Sequence, residues 1–176
     1  MEEADKQEKE SNLTEVKTFP VPFPLIENQE NISINTNTRS KPSKDQIIYQ
    51  AFNLHSQGNI SKAAKYYQQL INQGCNDHRV FSNYGVILKS LGNLKEAELS
   101  YRKAIEIKPD YVDAYSNLGN VLSDLGKLQE AELSYRKVIE IKPDYADAYS
   151  NLGSILRDRG KLKDAEIYIH KALKLN

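Results

Sequence analysis

In the stretch "VDAYSNLGNVLSDL" at 112–125, the apolar residues Tyr115, Leu118, Leu122 and Leu125 stand three or four apart. That spacing puts them on one face of a helix. "QEAELSYRKVIEIK" at 129–142 keeps the rhythm with Ala131, Tyr135, Val138 and Ile139. Gly126 lies between the two and suits the left-handed residue that closes a helix. Pro143 drives Lys142 out of helical geometry and ends the second helix. Asp144 is placed to cap the helix that follows, and Asp147 falls in its first turn, where a negative charge suits the dipole. Connections this short require the paired helices to lie antiparallel.

The pair is one of a series. Glycine recurs at 58, 92, 126 and 160, always 34 residues apart, and Pro109 and Pro143 keep the same interval. Residues 97–119 and 131–153 are identical at 21 of 23 positions. Aligned at this period, the chain divides into 44–77, 78–111, 112–145 and 146–176. One helix pair cannot bury its apolar face alone, so such units stack into a solenoid. Ser43 and Gln46 form the S-x-x-Q capping box that opens the first helix. Before Ser43 no helical period is present. Residues 1–43 offer too little apolar surface to offset the entropy of ordering, so a disordered arm is expected. Its "FPVPFPLI" at 19–26 reads as extended chain. It is either a docking peptide or, as the composition favours, part of a tether.

Residues at fixed places in each unit resemble the tetratricopeptide repeat family. That family's pattern is a large residue, Leu-Gly, an aromatic or aliphatic residue, then Ala, an aromatic, Ala and Pro. The third unit supplies Tyr115, Leu118, Gly119, Leu122, Ala131, Tyr135, Val138 and Pro143. The second supplies Phe81, Tyr84, Gly85, Leu88, Ala97, Tyr101, Ala104 and Pro109, and the fourth Tyr149, Leu152, Gly153, Leu156, Ala165, Ile169 and Ala172, without the final Pro turn. The resemblance implies an all-α, right-handed solenoid of about four helix pairs. Gly119 and Ala131 would let the helices of one unit approach closely, and Ala104 and Ala172 would do so between units. The first unit departs from the pattern: Gln50 replaces the Leu, Leu70 the second Ala and Cys75 the Pro, while Ala51, Gly58 and Ala63 remain. It reads as a degenerate repeat with a frayed or altered junction. Within the family, the wording resembles most the repeats preceding the catalytic domain of O-linked N-acetylglucosamine transferases. No such catalytic domain is expected in these residues.

The Ser-Asn pair recurs in three units. At about 100° per residue, positions four, seven, eight and eleven of a unit cluster, and positions two, five, six, nine, twelve and thirteen fall opposite. The resemblance implies that this opposite side lines a concave groove. Ser82, Ser116 and Ser150 stand at five, and Asn83, Asn117 and Asn151 at six. Asn120 and Ser154 stand at nine, Lys89 and Arg157 at twelve, Asp124 and Asp158 at thirteen. The Ser-Asn pair is therefore expected outside the core, as a polar ladder. An Asn side chain both donates and accepts, so a ladder of them can hold the backbone of an extended peptide whatever its sequence. In the transferases that the repeats resemble, groove Asn residues do this. The plain alternative is a solvated helix surface or recent duplication, but Asn83 persists in a more diverged copy. Ser at position five argues against the two-carboxylate clamp of chaperone-binding family members.

Composition narrows the classes. With 24 basic and 24 acidic residues the chain has no net charge at pH 7, which gives no case for bulk phosphate neutralisation or a polybasic membrane surface. Neither nucleic acid nor membrane is expected as a partner. A single cysteine, a polar start and no long apolar run point to a soluble, cytoplasmic protein. Cys75 and His78 lack a second ligand pair, so no metal is expected, and no cofactor motif is present. Asn12, Asn31 and Asn59 head N-x-S/T triplets that read as chance. Leu99, Leu133 and Ile167 point about 160° from the repeated Ala, and partial burial under long neighbours is expected. The last helix carries Ile167, Ile169, Leu173 and Leu175 without a polar cap, so self-association or burial against a partner is expected there. The reading is a non-catalytic scaffold that binds an extended segment of another protein. The alternatives are the substrate-recruiting segment of a transferase and a self-assembling solenoid.

Overall fold

The computed structural model describes residues 42–175; the expected disordered arm and its 19–26 segment lie outside them, apart from Pro42 and Ser43. The described chain folds into α1 (Lys44–Ser56), α2 (Ile60–Asn72), α3 (His78–Ser90), α4 (Leu94–Ile107), α5 (Val112–Asp124), α6 (Leu128–Ile141), α7 (Ala146–Asp158) and α8 (Leu162–Leu175). No strand occurs among the described residues. The helices pack as successive pairs, α1 with α2 through α7 with α8, and each pair packs on the next. This is the all-α solenoid that the 34-residue period implies.

The local signals act as chemistry dictates. The capping box forms: the Gln46 N–H donates to Ser43 Oγ at 3.2 Å, and the Ser43 N–H donates to Gln46 Oε1 at 2.9 Å. The first helix of each pair ends at a glycine of positive φ, 74° at Gly58, 78° at Gly92, 72° at Gly126 and 75° at Gly160. After α5, the Lys127 N–H reaches Leu122 O and the Gly126 N–H reaches Ser123 O, both at 2.8 Å. That double bond pattern closes the helix and is strained for residues with a Cβ. Asp144 does not cap α7. The helix starts one residue later, with Tyr145 at the N-cap and no side-chain cap bond, while Asp147 sits in the first turn as expected. The first junction is altered but not frayed. Gly74 (φ 70°) ends α2, and Asp77 caps α3 by accepting the Arg79 N–H at 2.9 Å.

Packing within a unit differs in detail from the Gly-against-Ala contact expected. A Cβ on Gly119 would lie 2.8 Å from Cζ of Tyr135, and one on Gly85 would lie 2.8 Å from Cε1 of Tyr101. On Gly153 it would meet Ile169 Cγ1 at 2.6 Å. The glycine therefore makes room for the large residue of the facing helix. Ala104 is fully buried with Phe81, Tyr111 and Ala114 at the junction of α4 and α5. Leu99, Leu133 and Ile167 are 63–67% exposed, contrary to the expected partial burial. Their long neighbours are held elsewhere: Arg102 bonds Glu98 and Glu130, and Lys103 bonds Glu106.

Ion clusters tie unit to unit. Buried Glu98 accepts from Arg102 one turn on, at 2.9 Å, and from Lys127 in the next unit's turn, at 2.8 Å. Glu132 repeats this with Arg136 at 2.9 Å, Lys161 at 3.3 Å, and Arg159. Burial alone would raise both carboxyls. The hydrogen bonds from these cations outweigh it and hold both below the usual value.

Candidate functional site

The candidate binding face belongs to the first helices of the pairs, α3, α5 and α7. The structure divides the expected ladder. Ser82 is 0% exposed, Ser116 4%, Asn83 and Asn117 2%, and Asn120 1%. These residues are buried, against the expectation that the Ser-Asn pair lies outside the core. Only in α7 is the rung open: Ser150 is exposed, and Asn151 and Ser154 are half-buried. The physical reason is the neighbour. Positions five and six do face away from the partner helix of their own unit, but the next unit packs against that side in α3 and α5. Small polar residues fill this second interface, and no helix among the described residues covers it in α7.

The buried polar groups are unevenly satisfied. The Tyr135 hydroxyl donates to Asn120 Oδ1 at 2.5 Å. Burial raises the Tyr67 phenol, and a hydrogen bond with Asn83 partly offsets this. Tyr145, raised mainly by burial, likewise bonds Ser116 across the junction between units. The amide nitrogens Nδ2 of Asn117 and Asn120, one turn apart on α5, have no hydrogen-bond partner. Around them the charges are paired: Lys89 Nζ lies 3.4 Å from the Asp124 carboxylate and links α3 to α5, and Arg157 Nε lies 3.4 Å from Asp158. The face is polar and electrically balanced.

The junction tyrosines were not singled out by sequence reasoning. Tyr111 and Tyr145 hold the last position of their units, 34 residues apart, and that recurrence was the available signal. Tyr111 is buried and stacks edge-on against His78 with ring centroids 4.6 Å apart.

Two histidines make the fold sensitive to mild acid. His55 Nδ1 lies 3.2 Å from the Tyr67 hydroxyl, and burial lowers its pKa. Burial also lowers His78, with Asp77 opposing. Each is harder to protonate folded than unfolded, where the value is about 6.5. The unfolded chain then binds more protons below that pH, so this stability is full above about pH 6.5 and is lost as pH falls through the folded values. The melting temperature should drop between pH 7 and 5, and His55→Gln with His78→Gln should flatten the slope. An unchanged slope in the double variant would exclude these side chains as the cause.

Among the described residues no group of three or more His, Cys, Asp or Glu could hold a metal ion. No helix of the described residues is long and apolar enough to cross a membrane.

The family model described as "TPR repeat" matches residues 85–126 and 119–160, and that described as "Tetratricopeptide repeat" matches 146–176. Together they span a little over half of the 176 residues. The chain belongs to the tetratricopeptide repeat family. Among solved structures, the crystal structure of MamA is similar with a TM-score of 0.73 at 22% identity, over 76% of this chain and 78% of that one. That of YrrB, described as "a TPR protein with an unusual peptide-binding site", has a TM-score of 0.71 at 21% identity, over 76% and 69%. At this identity the likeness establishes the fold. No curated protein matches the sequence.

Proposed function

We propose that this protein is a non-catalytic scaffold that holds an extended segment of another protein along the face of α3, α5 and α7. The observation that carries the reading is the pair of unpartnered amide donors, Asn117 Nδ2 and Asn120 Nδ2, one turn apart on α5. A buried donor left unmade costs about 1–3 kcal/mol. Backbone carbonyls of a peptide would satisfy such donors if the amides turn outward, and Ser150, Asn151 and Ser154 would continue the row on α7. Lys89, Asp124, Arg157 and Asp158 border it with balanced charge, which favours a peptide read through its backbone over a highly charged one. The fold shared with YrrB, a protein described by its peptide-binding site, agrees with this. If the resemblance to transferase repeats carries function, the held segment would be a substrate presented to a transferase.

The test starts from 12-residue peptides selected against the full chain by display. Binding of the best one is then measured by fluorescence anisotropy. Asn117→Ala with Asn151→Ala should weaken it roughly tenfold, since each hydrogen bond contributes about 0.5–1.5 kcal/mol. Melting should change little, because one residue loses an unpaired donor and the other is half-exposed. Unchanged affinity would move the peptide elsewhere, and a sharp fall in melting temperature would make the Asn residues structural.

A further inference from the structure

The outer face of α7 and α8 repeats, uncovered, a surface that the chain covers twice. On α6, Tyr135 is 2% exposed, and Leu128 and Ile139 are partly buried in the core that α7 completes with Leu152 and Ile155. The residues 34 positions on are Leu162, Ile169 and Leu173, and they are 65%, 38% and 68% exposed. They line a cleft of about 380 Å³ floored by Ala165 and edged by Arg157 and Glu166. Polar groups follow the same rule. Ser116 bonds the junction Tyr145, while its counterpart Ser150 is exposed. Glu98 and Glu132 each receive a lysine from the next unit, Lys127 and Lys161, while Glu166 in the same register is exposed.

The opposite end of the solenoid is built differently. Where α5 and α7 carry Ala114, Leu118, Val121 and Ala148, Leu152, Ile155, helix α1 carries Gln46, Gln50 and Asn53. Polar residues at the contact positions are how a solenoid end is closed. The α1 face of a second copy therefore lacks the apolar residues that the α7–α8 face needs, and head-to-tail stacking is not what this face is shaped for.

We infer that the α7–α8 face is a docking site for one amphipathic helix of another protein. That helix carries the pattern shared by α5 and α7: a tyrosine, then alanine three residues on, leucine at seven, valine or isoleucine at ten and lysine at sixteen. Both covering helices have it, as Tyr111, Ala114, Leu118, Val121, Lys127 and as Tyr145, Ala148, Leu152, Ile155, Lys161. The tyrosine reaches Ser150, the apolar residues fill the cleft over Leu162, Ile169 and Leu173, and the lysine meets Glu166. This does not rest on the groove reading, which concerns extended chain held on α5 and α7.

The probe is a fluorescein-labelled peptide of residues 143–161, titrated with the full 176-residue chain and followed by anisotropy. Saturable one-to-one binding is expected. Leu173→Asp should abolish it, and Glu166→Lys should weaken it about tenfold. A peptide carrying Arg159→Glu and Lys161→Glu should recover most of that loss on the Glu166→Lys chain. Both chain positions are exposed, and circular dichroism with thermal melting verifies that the variants fold. The inference is overturned by an absence of saturable binding, or by binding that ignores both chain variants. It is also overturned if sedimentation velocity without peptide shows a dimer that Leu173→Asp disperses, because a second copy would then be the occupant. The display-selected groove peptide should bind the Leu173→Asp chain normally, so the two readings can fail separately.

Discussion

Gly119→Ala should destabilise the solenoid by about 2 kcal/mol, although alanine is the better helix former by about 1 kcal/mol. The added Cβ would stand 2.8 Å from Cζ, 2.9 Å from Cε1 and 3.0 Å from Cε2 of Tyr135. The ring cannot move aside. It is 2% exposed, and its hydroxyl donates to Asn120, one residue beyond the glycine on the same helix. Overpacking at a pinned site costs about 1–3 kcal/mol, here at the high end, and helix propensity returns part of it. Tyr135→Ala should cost about 3–5 kcal/mol, as truncation of a buried aromatic does. The informative measurement is the double variant. With the ring gone, the methyl group of Gly119→Ala enters empty space and keeps its propensity gain, so the same substitution becomes stabilising. Urea unfolding of the four proteins should give a coupling of about 2–3 kcal/mol. Additive effects would mean that Gly119 is present for some reason other than the ring.

That contact marks the boundary of what the sequence made legible. The 34-residue period, the glycine stops and the apolar rhythm of 112–125 and 129–142 give the helix pairs and their order. These signals report on the interface between two helices of one unit, because that interface is apolar. The interface between units is filled by Ala104, Ser116, Asn117 and Asn120 as well as by Leu and Val, so counting apolar residues does not reveal it. The ladder positions were identified as a set, but their burial depends on whether a further helix follows. That is why Asn117 is enclosed and Asn151, its near-identical copy, is half-open. Leu99 misled for a related reason. Whether its neighbours cover it depends on ion pairs made by Arg102 and Lys103, which spacing along one helix does not disclose. The Gln46, Gln50 and Asn53 series was readable all along, as polar residues in an otherwise apolar register.

Glu132→Ala should loosen the fourth unit from the third. The carboxylate is buried and faces Arg136 on its own helix and Arg159 and Lys161 at the turn of the next unit. Removing one member of a fully buried pair costs about 3–5 kcal/mol, and an exposed pair contributes about 0–1 kcal/mol. Here the acid is 8% exposed at its side chain while Arg136 and Lys161 are 42% and 41% exposed, so about 2 kcal/mol is expected. Glu98→Ala should behave alike, and Glu166→Ala should be near neutral because that side chain is exposed. Location matters as much as size. Stability in a solenoid is a sum of unit and interface contributions, so weakening the last interface should let α7 and α8 open before the rest. Amide hydrogen exchange should rise in 146–175 for Glu132→Ala while α3 to α5 stay protected. The same carboxylate explains part of the acid response. Its folded pKa lies below its unfolded value, so its contribution is present above about pH 4.5 and is lost as pH falls through the folded value. Glu132→Gln should remove that pH dependence along with the interaction. Uniform loss of protection across all eight helices would show that the solenoid unfolds as one body and that Glu132 does not govern the junction between the third and fourth units.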